Sequence, residues 1–165
     1  MAATFFLIHP IKSHILIAFH YARSIHLRRT TFMNNYHIVI ADDEKFLCGT
    51  VADILRDEGY KVTLAYDGAD VLPIIEREKV DLVLLDLMMP RMNGLETLTA
   101  LKKKSPQTRV IMLSGYGTED YVRQAEQLGS DGFINKPFGA ETLVRYVRNV
   151  LAGLSRSHFH EPPIG

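Results

Sequence analysis

Residues 81–94 read Asp81-Leu82-Val83-Leu84-Leu85-Asp86-Leu87-Met88-Met89-Pro90-Arg91-Met92-Asn93-Gly94. A short apolar run ends on a carboxylate, and a Pro/Asn/Gly segment separates it from the next helical pattern. Runs of this length without polar alternation are buried on both faces, which is the habit of strands in a parallel sheet. Three other runs share the form. HIVIA (37–41) leads into Asp42 and Asp43, RVIML (109–113) into Ser114, and GFIN (132–135) into Lys136. Open parallel sheets gather their ligands at the carboxyl ends of the strands. The three carboxylates, the hydroxyl and the amine are therefore expected to converge, and that set suits phosphoryl chemistry.

Outward from these runs, strand and helix patterns alternate with short connections, the signature of a parallel α/β sheet. Strands are predicted near 37–41, 60–65, 81–85, 109–113 and 132–135, and helices near 44–58, 68–78, 94–104, 118–128 and 140–152. Leu47, Val51, Ile54 and Leu55 form an apolar stripe on the first helix, and Gly59 stands where a left-handed cap belongs. Leu143, Val147, Val150 and Leu151 repeat the stripe on the last helix, with Arg145, Arg148 and Asn149 facing elsewhere. Both stripes read as core. Gly49 and Pro73 each weaken a helix locally, and Pro73 predicts a kink or a late helix start.

A chain of 165 residues, 47% hydrophobic and 23% charged, is sized for one globular domain. Its formal net charge of zero hides an asymmetry: residues 1–35 carry Lys12, Arg23, Arg28 and Arg29 and no acid. The remainder holds 15 basic against 19 acidic side chains. A mildly acidic domain without a basic helix has no electrostatic footprint for nucleic acid, so no direct DNA binding is expected. Cys48 is the only cysteine, which excludes an internal disulfide and fits a reducing, cytoplasmic setting. It reads as a small buried residue of the first helix.

The stretches IVIADDE, LVLLDLMMPRMNGLE, VIMLSGYG and DGFINKPF, in this order and spacing, resemble the receiver domain of bacterial response regulators. That family takes a phosphoryl group from a histidine kinase onto an aspartate. The resemblance covers about Tyr36 to Ala152, so the chain divides into an extension (1–35), a receiver domain (36–152) and a flexible tail (153–165). It implies a doubly wound, five-stranded parallel α/β sheet of the flavodoxin-like (CheY-like) kind, strand order 2-1-3-4-5.

Asp86 occupies the phosphoacceptor position. Three carboxylates crowded at one sheet end repel unless a cation joins them, and Mg2+ prefers such oxygen ligands. The resemblance implies direct metal ligation by Asp43 and Asp86, a backbone carbonyl from Met88, and water-mediated ligation by Asp42. Either acid of the pair also suits the cap of the first helix. Lys136 is a point-charge partner for a carboxylate or a phosphoryl oxygen, and the family usually holds its bond to Pro137 cis. Ser114 is expected to donate its hydroxyl to the phosphoryl group. Ser114 and Phe133 take the family's switch positions, although Phe133 lacks the hydroxyl of the tyrosine many members carry there. Met88 and Tyr116 stand where the family tunes access of the hydrolytic water.

The implied protein is a phosphoacceptor with self-catalysed phosphorylation and dephosphorylation, not an enzyme acting on a separate substrate. Its expected partners are a sensor histidine kinase or histidine phosphotransfer protein and an unknown downstream protein. No output domain is visible after the last helix, so a stand-alone receiver is expected, with Phe46, Tyr121, Arg123, Arg145 and Arg148 as candidate contacts. A receiver-fold interaction module independent of phosphorylation is the alternative. A flavodoxin-type or dinucleotide-binding enzyme fits poorly, because ADDEKF follows the first strand where a phosphate-cradling loop is needed. Residues 1–32 precede Met33, which looks like a natural start. They are basic and interrupted by Pro10, Lys12 and histidines, too broken for a membrane span or signal peptide; an upstream extension or a membrane-surface or targeting segment remain the readings.

Overall fold

The computed structural model describes residues 35–115 and 119–154. The extension through residue 34, Tyr116 and the tail beyond Leu154 lie outside the described residues. The elements run β1 (His37–Ala41), α1 (Lys45–Asp57), β2 (Lys61–Ala65), α2 (Gly68–Arg77), β3 (Leu82–Asp86), α3 (Gly94–Lys104), β4 (Arg109–Ser114), α4 (Glu119–Gln127), β5 (Gly132–Asn135) and α5 (Ala140–Leu151). All strand pairs are parallel, in the order β2-β1-β3-β4-β5. This is the implied flavodoxin-like sheet.

Period-two alternation divides the strands' side chains between two cores. Ile38, Ile40, Leu82, Leu84, Ile111, Leu113 and Ile134 pack with the stripes of α1 and α5. Val39, Ala41, Val83, Leu85, Val110, Met112 and Phe133 face the opposite way, with Val71 of α2, Leu98 and Leu101 of α3 and Ala125 of α4. Coverage of both faces explains why the central strands read as unbroken apolar runs. Leu84 is fully buried on the central strand. Leu84→Ala is expected to cost about 2–5 kcal/mol, measured by urea denaturation.

Local signals set the helix ends. Gly59 takes φ +89° after α1, as the left-handed cap requires. Asn93 and Glu96 form a capping box at the start of α3, with Glu96 N donating to Asn93 Oδ1 (3.0 Å) and Asn93 N to Glu96 Oε2 (3.1 Å). Pro73 does not delay α2: the helix begins at Gly68, capped by Asp67, and continues past the proline to Arg77. Among the described residues no helix is long and apolar enough to cross a membrane.

At the amino ends of the strands the fold uses polar staples that no motif announced. Buried His37 bonds the Lys79 carbonyl through Nδ1 (3.1 Å) and Thr63 Oγ1 through Nε2 (2.9 Å). Lys102 Nζ donates to Asp131 Oδ2 (3.0 Å) and the Thr108 carbonyl (2.9 Å), fastening α3 to the entry of β5. These groups lie at the end of the sheet opposite the acidic residues, leaving the carboxyl end for chemistry.

Candidate functional site

Register brings the predicted residues to one end of the sheet. Ala41 pairs with Leu85, Asp86 with Leu113, and Ser114 with Asn135, so Asp42, Asp86, Ser114 and Lys136 occupy neighbouring strand tips. Alternation then sorts them. Asp42, Asp86 and Lys136 continue the rows of Ile40, Leu84 and Ile134, on the α1/α5 side, whereas Ser114 continues the row of Met112 on the side of Phe133 and α4.

Lys136 Nζ donates to Asp42 Oδ2 (2.5 Å) and to Asp86 Oδ1 (2.7 Å), joining the outer strand β5 to the sheet's centre. The Lys136–Pro137 peptide is cis. The other carboxylate oxygens are also engaged: Asp42 Oδ1 accepts from Glu44 N and Asp86 Oδ2 from Met88 N, both at 2.9 Å. Asp42 thus turns the chain into α1 while holding the lysine. Asp43 is exposed, and one carboxylate oxygen from each of Asp42, Asp43 and Asp86 lies within 4.8 Å of the others.

Burial governs the electrostatics. It pushes the Asp86 carboxyl above the usual range; the Lys136 ammonium opposes this and the Asp42 charge reinforces it. Burial alone would lower the Lys136 ammonium, but Asp42 and Asp86 outweigh it and hold the amine protonated above the usual lysine range. Cys48, fully buried, donates Sγ–H to the Asp42 carbonyl (3.2 Å), and burial with the charge of Asp42 pushes its thiol up to about 12. That makes it an inert wall of the site.

The donor set fits a hard divalent cation: three oxygen ligands converge beside an open, water-facing side at Asp43. Ser114 is 1% exposed at the end of β4, and its carbonyl accepts from Lys136 N (2.7 Å). Met88 is 59% exposed, so its side chain stands at the mouth of the site. Phe133 is buried in the α2/α3/α4 core. Among the proposed contact residues, Phe46 is 75% exposed, while Arg123 pairs with Asp120 and Arg148 with Glu58.

The β3–α3 loop has a further support that residue types did not reveal. Asp67, the cap of α2, also accepts from Arg91 N across the loop. An Asp-Gly pair before a helix signals a cap, but a second bond to a residue 24 positions away leaves no local trace.

The family model of the response regulator receiver domain matches residues 38–148. The chain is 41% identical over 125 residues to the transcriptional regulatory protein CpxR of Escherichia coli strain K12, an overlap of 75% of this chain and 51% of that one. The chain therefore spans about half the length of the curated relatives it matches. Among solved structures, a CheY-like receiver domain protein from Methanospirillum hungatei superposes with a TM-score of 0.70 at 30% identity, over 72% of this chain and 95% of that one. The receiver domain of NtrX from Brucella abortus gives 0.67 at 35% identity, over 70% and 98%.

Proposed function

The chain belongs to the response regulator receiver-domain family, and from that premise we propose that it accepts a phosphoryl group on Asp86 in the presence of Mg2+. The observation that carries the proposal is the bridge from Lys136 to both Asp42 and Asp86, at 2.5 and 2.7 Å. A mostly buried lysine held between two acids at the strand tips is a preset counter-charge for an anion arriving at Asp86.

Bound Mg2+ would be held by Asp43, Asp86 and the Met88 carbonyl, with Asp42 beside it through water, and would neutralise charge on the transferring group. An Asp86 oxygen attacks phosphorus in line; the new P–O bond forms as the P–N bond of a phosphohistidine, or the P–O bond of a small acyl phosphate, breaks and the donor leaves with its electron pair. Lys136 exchanges its carboxylate contact for a phosphoryl oxygen. Ser114 donates to a second oxygen, and its movement toward the phosphoryl group leaves Phe133 to turn inward behind it. Attack by water on phosphorus later returns the carboxylate and inorganic phosphate, with exposed Met88 shielding the approach.

The proposed donor is a sensor histidine kinase or a histidine phosphotransfer protein. The output proposed is phosphorylation-dependent protein binding or relay to another histidine, without direct DNA contact by the receiver itself. The likeness to a transcriptional regulatory protein supports a second reading, in which the receiver governs transcription. Beryllofluoride, an acyl-phosphate mimic, tests the proposal by NMR. Mg2+-dependent binding that shifts the amides of Ser114 and Phe133 and vanishes in Asp86→Asn is expected; unshifted spectra with partner binding intact would favour the phosphorylation-independent module.

A further inference from the structure

We propose that Asp67 is a positioning residue for the phosphoacceptor loop, holding residues 87–93 in the conformation that presents Met88 and Asp86 to Mg2+. This rests on the reading of Asp86 as the phosphoacceptor. Capping α2 needs one oxygen, and Ser, Thr or Asn would supply it. Asp67 uses both: Oδ1 accepts from Ala69 N and Oδ2 from Arg91 N, each at 2.9 Å, with the carboxylate 3% exposed. Burial opposes the charge, but the amides of Ala69 and Arg91, the Arg91 guanidinium and the Met92 amide together outweigh it and hold the carboxyl below its usual range. The carboxylate is therefore ionised wherever the domain is folded near neutrality.

The loop's ends are fixed separately. Gly94 N donates to the Leu87 carbonyl (2.9 Å), Met88 N donates to Asp86 Oδ2, and the capping box secures Asn93. Between them Pro90 has no N–H to offer, and Arg91 N is tied to Asp67. The α2 start sits directly on this stretch: a Cβ at Gly68 would fall 2.5 Å from the Met92 carbonyl oxygen and 1.9 Å from Thr97 Oγ1. The Arg91 side chain returns to Asp70 at an exposed pair (2.8 Å), which contributes little, and its Nε also stands 3.5 Å from Asp67 Oδ2. The shorter link to Asp67 Oδ2 is the one from the Arg91 backbone amide, at 2.9 Å, and it fixes the loop's main chain directly. Outer groups that orient metal ligands typically control affinity by about 10- to 100-fold.

Asp67→Asn separates the two roles. Its single side-chain oxygen satisfies one amide and turns an NH2 on the other. The variant is expected to raise the Mg2+ Kd about 10-fold or more by calorimetry, and to speed hydrogen exchange at Arg91 and Met92. Lys102→Met, at the opposite sheet end, is expected to lower Tm without changing the Mg2+ Kd. An Asp67→Asn Kd equal to that of the unmodified chain, or one tracking Tm across both variants, overturns the proposal. If Asp67→Asn does not fold, Asp67→Ser, which keeps a single capping oxygen, makes the same comparison. Phosphoryl uptake by the unmodified chain is measured alongside: Mg2+ binding without uptake sinks the phosphoacceptor reading, while the Kd comparison still decides Asp67.

Discussion

Lys136→Met is expected to slow phosphoryl uptake from acetyl phosphate by about a hundred- to a thousand-fold, the usual cost of removing one preset donor from a developing anion. Its side chain is mostly buried between Asp42 and Asp86, so the change also leaves two carboxylates without their cation. Breaking such a pair costs up to about 3–5 kcal/mol when the remaining charge stays buried and unpaired. The cost takes a defined pH form. Burial already raises Asp86, and without the ammonium its carboxyl rises further. A carboxyl raised on folding binds more protons in the native state than in the unfolded one. Stability of the variant therefore falls as pH rises from the unfolded carboxyl value through the folded one, and it is kept at lower pH. Mg2+ restores part of it, because the metal now replaces the lysine as counter-charge. Denaturation of Lys136→Met at acidic and neutral pH, with and without Mg2+, checks this; a variant whose stability rises with pH across that range contradicts it.

Asp86→Asn has the largest expected effect on function and the smallest on the fold. Asparagine is no nucleophile toward phosphorus, so uptake is expected to vanish. Its amide oxygen still accepts from Lys136 or from the Met88 amide, and the buried negative charge is gone. Because burial disfavours ionised Asp86, the variant is expected to unfold at an unchanged or higher Tm near neutral pH. Mg2+ should stabilise it less than the unmodified chain. Thermal melts with and without Mg2+ decide the matter, and a marked loss of stability in Asp86→Asn would mean that its charge supports the fold.

Strands buried on both faces leave a strong local trace, which is why β3 and β4 were legible from LVLL and VIML to within a residue. The end of α1 was legible where one residue sets it, at Gly59. The sheet's strand order came from family resemblance, since apolar periodicity carries no information on neighbours. Within the acidic pair, adjacency in sequence suggests equivalence, yet Asp42 is buried on Lys136 and Asp43 is exposed. The alternation of HIVIA held that distinction, because Asp42 continues the row of Ile38 and Ile40. Contacts such as Asp67 to Arg91 or Lys102 to Asp131 join residues distant in sequence and depend on how helices settle on the sheet. The late helix start that Pro73 suggested is not found, for a related reason: the cap at Asp67 starts α2 at Gly68, ahead of the proline.

The central claim is a covalent phosphoryl group on Asp86, and intact mass reads it directly. The chain is incubated with acetyl phosphate or a phosphorylated histidine kinase, with and without Mg2+, beside Asp86→Asn. One added phosphoryl mass that requires Mg2+ and is missing from the variant is the predicted result. An unchanged mass with every donor, from protein that binds beryllofluoride stably enough to exclude rapid hydrolysis, or equal labelling of Asp86→Asn, would contradict the account.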